Sequence, residues 1–131
     1  MSALSVPITG LYAGIQALIA FGLTLPIGPL RLKHNVSILD GGHPDLALAI
    51  RRHANWTEFV PFALLLIALL ELNGASATTL HALGGGLVVA RIAHPFGLNS
   101  KSPRNPLRGI GALGTLLVTL AAAVLLLLKS L

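Results

Sequence analysis

The sequence predicts an all-α membrane protein, a four-helix up-down bundle, and three observations carry that expectation. Of 131 residues 54% are apolar and only 10% charged, against about 25% charged in an average soluble domain. The apolar residues gather in runs of bilayer-spanning length, punctuated by Pro, Gly and Asn. Eight of the nine basic residues fall on one side of the bundle those runs would form. So few charges exclude both a disordered chain and a soluble globule. The length allows one domain, and a mean hydropathy of +0.83 agrees. With no cysteine, disulfides, Cys-based metal sites and a Cys nucleophile are excluded.

Helix one is expected over about residues 8–32. No charge precedes Arg31, and Gln16 is the one strongly polar side chain between Ile8 and Leu30. Pro26 should bend its exit. Met1 to Val6 lack Lys and Arg, so the first run is expected to be retained as a membrane helix. Helix two is expected over 44–72: Pro44 suits the first helical position, Asp45 complements the dipole, and Asn73-Gly74 ends it. Its first half is polar, and Phe59 to Leu70 is wholly apolar.

Helix three is expected over 76–94, where Pro95 discourages continuation. Its Gly84-Gly85-Gly86 run would let neighbouring backbones approach closely in a membrane bundle. Helix four is expected over 106–128, opened by Asn105 as cap and Pro106 in the first turn.

A net charge of +5 would suggest nucleic acid in a soluble protein, but here the basic residues flank or interrupt apolar runs. They point to membrane lipid, topology and anionic small molecules instead, with no nucleic-acid partner. Arg31, Lys33, Arg51, Arg52, Arg91, Lys101, Arg104 and Arg108 belong to one side, and Lys129 alone to the other. The first and third connections should therefore face the cytoplasm.

Arg51, Asn55 and Glu58 lie at i, i+4 and i+7, on one helix face. Charge at membrane depth points into a bundle or a water-filled cavity. Two readings follow: a ligand site, or an ion pair of Glu58 with Arg51 or Arg91 that holds helices in register. Arg91 and His94 close helix three on the same side, and Arg31 ends helix one there. Arg108 falls in the first turn of helix four, where backbone N–H groups already favour an anion. The five histidines are too scattered to argue a metal site.

The pattern Arg51-x3-Asn55-x2-Glu58-x2-Pro61, followed by Arg91-x2-His94-x2-Gly97, resembles the MAPEG family, the membrane-associated proteins of eicosanoid and glutathione metabolism. Likeness to its short bacterial branch covers nearly the whole chain. The resemblance implies a homotrimer in the bacterial inner membrane, with glutathione as co-substrate bound between subunits near the cytoplasmic face. It implies glutathione contacts for Arg31, from the neighbouring subunit, and for Arg51, Asn55 and Glu58; Arg91 and His94 complete the candidate set. It also implies that Arg108 stabilises the glutathione thiolate, with Arg104 one turn earlier as the rival.

The chemistry suits these residue types. Arginines clamp carboxylates, Glu58 can receive an ammonium and Asn55 can bond a peptide. A nearby arginine and a helix N-terminus favour thiolate over thiol, and thiolate is the nucleophile. The implied activity is a glutathione-dependent transferase or peroxidase acting on a lipophilic electrophile. The chain departs from the eicosanoid-pathway members in carrying His94 and Leu98 where they have tyrosines, and Phe59 in place of a further one. Those departures motivate the alternative, a non-catalytic membrane scaffold or a binder of another anionic ligand.

Overall fold

The computed structural model describes residues 5–99 and 101–131, so the first four residues of the Met1–Val6 stretch lie outside it. The described residues form five helical segments: α1 (Pro7–Thr24), α2 (Ile27–His34), α3 (Pro44–Leu72), α4 (Ala77–Gly97) and α5 (Pro106–Ser130). α1 and α2 follow each other across Leu25-Pro26, so the architecture is a four-rod, all-helical bundle.

The first rod is interrupted at Pro26, which has no N–H to continue the ladder. Leu25 and Pro26 both keep right-handed helical angles, so the break is local. Hydrogen bonds from Leu25 N–H to the Phe21 carbonyl and from Leu30 N–H to the Pro26 carbonyl close the turns on either side. α2 ends where Asn35 turns left-handed at φ 53°, and Val36 N–H bonds the Arg31 carbonyl across the turn.

α3 is 29 residues long, about 43 Å at 1.5 Å per residue, against a hydrocarbon core of about 30 Å. The excess accommodates its polar first half: the apolar second half spans while the Arg51–Glu58 stretch reaches the interface. Asn73 ends α3 and Gly74 turns away at φ 70°. The Ser76 hydroxyl caps α4 by accepting from Thr79 N–H, and Asn105 caps α5 by accepting from Leu107 N–H.

α4 runs to Gly97, three residues beyond the expected end, with Pro95 inside its last turn. The lost N–H leaves only the Arg91 carbonyl without its helical partner, and Leu98 N–H still bonds the His94 carbonyl. The first rod, α3 and α5 are long and apolar enough to cross a membrane by themselves. α4 is less apolar, and its position explains why. It packs against α1, α3 and α5 and buries more of its residues than they do, while Val89, Ile92 and Phe96 stay exposed.

The core joins Val60, Ala63, Ile67 and Leu70 of α3 to Leu80 and Leu87 of α4. The triple glycine does not supply the close backbone approach. Gly84 instead receives the Tyr12 ring, which a Cβ there would overlap. Backbones meet further along: a Cβ on Gly97 would lie 1.9 Å from Arg108 N, and one on Gly111 would lie 2.6 Å from His94 Cα. That contact locks the end of α4 onto the start of α5, where the candidate residues sit.

Candidate functional site

The end of the bundle formed by α2, the first half of α3, the last turns of α4 and the first turns of α5 gathers the candidate residues. Arg51 and Glu58 are paired, Nη2 to Oε2, at 2.6 Å, and both side chains are about half exposed. Arg51 also lines a hollow of about 440 Å³ beside Asp40, Ala47 and Ala54.

Asn55, one turn before Glu58, is engaged inward. Its Oδ1 accepts from Arg91 Nη1 at 2.9 Å, and Arg91 Nη2 donates to the Gly111 carbonyl at 3.1 Å. Arg91 is buried, with 2% of its surface exposed, so one guanidinium bridges α3, α4 and α5. Its Nε is buried without a hydrogen-bond partner among the described residues. His94, one turn later, is buried with its backbone against Gly111.

Arg108 is half-buried in the first turn of α5, and its guanidinium donates no hydrogen bond among the described residues. Arg104 precedes the helix on the exposed connection. Arg108, and not Arg104, lies within the first helical turn, where backbone N–H groups favour an anion. Arg31 is not brought to Glu58 within the chain. Its Nη1 holds the loop after α2 by bonding the Leu39 carbonyl at 2.9 Å.

Sequence reasoning missed several contributors. Arg52 donates from Nε and Nη2 to the Leu98 carbonyl at 3.2 and 2.8 Å, pinning the end of α4 to α3. Fully buried Gln16 accepts from Trp56 Nε1 at 3.0 Å, joining α1 to α3. The sequence signal for this pair was Gln16 itself, a lone polar side chain in an apolar span. Tyr12 bonds His81 at 2.9 Å at the other end of the bundle, so the one tyrosine is remote from Glu58. Among the described residues no group of three or more His, Asp or Glu is placed to hold a metal.

Apolar spans of bilayer length, small-residue helix contacts and a cationic cluster at one end define a polytopic membrane protein. The family model of the MAPEG family matches residues 9–128, and the chain belongs to that family. It is 33% identical over 94 residues, 72% of each chain, to the inner membrane protein YecN of Escherichia coli K12, and equally to YecN of Escherichia coli O6:H1. No solved structure matches it. The protein is a multi-pass protein of the inner membrane, in the family of glutathione and eicosanoid metabolism.

Proposed function

We propose that the protein is a glutathione-dependent transferase or peroxidase for lipophilic electrophiles, working as a homotrimer with its sites between subunits. The observation that carries the reading is the half-exposed Arg51–Glu58 pair, with Asn55 between them on one face of α3. A guanidinium and a carboxylate fixed side by side complement a ligand that carries both carboxylate and ammonium groups, as glutathione does. Arg31 of a neighbouring subunit would add a second carboxylate contact. Arg91 and His94 act from behind, Arg91 by orienting the Asn55 amide.

Arg108 supplies positive charge at an N-terminal helix turn, which favours the glutathione thiolate over the thiol. In conjugation the thiolate sulfur forms a bond to an electrophilic carbon, and the leaving group departs with the bonding electron pair. No side chain becomes covalently attached. The electrophile reaches the sulfur from the bilayer, across the apolar flank of α5.

Saturable glutathione binding to the intact protein in detergent micelles, measured by calorimetry, is the test. Arg51→Ala and Glu58→Ala are each expected to weaken binding at least about tenfold, the loss of one charge-assisted contact. Wild-type protein that binds no glutathione and conjugates no aryl halide in its presence overturns the proposal.

A second reading is favoured by the pairing of Arg51 with Glu58 and of Arg91 with Asn55, which engages all four side chains within the chain. On that reading the cluster holds a non-catalytic scaffold together. Glu58→Gln would then lower the melting temperature of the assembly and leave glutathione without effect. An unchanged melting curve for that variant counts against it.

A further inference from the structure

A cleft of about 560 Å³ opens between the first rod, α3 and α4, apart from the Arg51–Glu58 face. Its volume falls in the range of about 300–1,000 Å³ usual for small-molecule sites. Leu23, Pro26 and Leu30 form one wall, and Ile92 and Phe96 the other. Ile92 and Phe96 are 49% and 72% exposed, so the mouth opens sideways, on the flank of the bundle. The break at Pro26 lies on this wall.

Two arginines line the cleft, and neither has a carboxylate partner among the described residues. Arg52 is half-buried and bonds only the Leu98 carbonyl. Arg91 is 2% exposed, bonds only an amide and a carbonyl, and keeps an unpartnered Nε. The four acidic residues are committed elsewhere. Glu58 pairs with Arg51, Glu71 caps α1 and Asp40 holds the Gly42 turn. Asp45, which also lines the cleft, is matched by His34 and Lys33. An apolar cleft that reaches the membrane interface, with two guanidiniums lacking carboxylate partners, is complementary to an amphiphile with an anionic head.

We propose that this cleft binds one anionic phospholipid, its phosphate at Arg52 and an acyl chain laid between Leu23 and Ile92. Arg52 is the contact because it is only half-buried, whereas the buried Arg91 adds positive potential from the floor. The Leu98 carbonyl already orients the Arg52 fork, so binding costs little side-chain freedom. The occupant is a lipid and not a free anion, because the walls are apolar and face the bilayer.

The test is native mass spectrometry of the intact protein in detergent with equimolar phosphatidylglycerol and phosphatidylcholine added. Retention of phosphatidylglycerol is expected to exceed that of phosphatidylcholine about tenfold. Arg52→Gln is expected to erase the preference. Ile92→Trp, at the exposed mouth, is expected to reduce retention of both lipids while the helical circular dichroism stays unchanged. Inorganic phosphate at millimolar concentration should not displace the lipid. Equal retention of the two lipids by the wild type, retention unchanged by Ile92→Trp, or displacement by phosphate alone each overturns the proposal. Glutathione calorimetry on Ile92→Trp keeps the two sites distinguishable, since that residue lies off the Arg51–Glu58 face.

Discussion

Glu71 accepts from the backbone N–H groups of Ile8 at 2.9 Å and Thr9 at 2.7 Å, so one carboxylate caps the start of α1. Helix starts carry unsatisfied N–H groups and partial positive charge, and Val6 at the N-cap position offers no side-chain acceptor. α3 therefore supplies from 63 residues away what the local sequence lacks. Glu71→Ala is expected to cost about 1 kcal/mol, the usual loss for a removed cap, read by denaturant unfolding in micelles. Glu71→Gln keeps one acceptor oxygen and should recover part of the loss. An alanine variant as stable as the wild type would show that water caps α1 equally well. Nothing in the sequence around Glu71 or Ile8 announces this contact, because capping patterns read along the chain and this one reads across it. Arg91 was hidden for the same reason. The sequence offers it as a ligand contact or as an ion-pair partner of Glu58, and only the packing of α3 and α5 around it shows a buried bridge to Asn55 and the Gly111 carbonyl instead.

Helix ends were the more legible features. Asn105-Pro106, Ser76 and Asn73-Gly74 are local signals, and each stands at or beside an observed helix boundary. Pro95 misled because proline forbids one hydrogen bond and not a whole turn. Arg52, bonded to the Leu98 carbonyl, holds the α4 terminus that the local rule would end sooner. The small-residue principle was right in kind, but the contact sits at Gly97 and Gly111, not at the conspicuous triple glycine. Substitutions separate the two effects. Gly97→Ala would bring a Cβ to 1.9 Å from the Arg108 nitrogen, against backbone that cannot yield without parting α4 from α5. It is expected to destabilise by about 2 kcal/mol or more, by overpacking. Gly109→Ala, with nothing within 4 Å of the added methyl, should stabilise α5 by about 0.5–1 kcal/mol. Both are read as melting temperatures in the same detergent. Equal effects of the two would show that the α4–α5 contact is loose.

At the scale of the whole molecule, charge asymmetry and apolar surface have to agree on one placement in the bilayer. Leu113, Leu117, Leu120 and Leu127 of α5 are all more than 60% exposed, a surface suited to lipid or to neighbouring subunits and not to water. The end carrying Arg31, Arg51, Arg52 and Arg108 is the basic end, and Lys129 at the other bonds the carbonyls of Asn73 and Gly74. Lys129 keeps its charge in bonding neutral carbonyls, and one cation there against eight at the other end leaves the asymmetry clear. The basic end should therefore lie in the cytoplasm. The absence of native cysteine makes this directly measurable with single introduced thiols. Ser37→Cys and Ser102→Cys, on exposed parts of the first and third connections, should react with a membrane-impermeant maleimide only after the inner membrane is permeabilised. Ala77→Cys, exposed at the start of α4, should react in intact spheroplasts. The reverse pattern would put Arg51 and Glu58 outside the cytoplasm, away from its reduced glutathione, and would count against the topology and the proposed chemistry together.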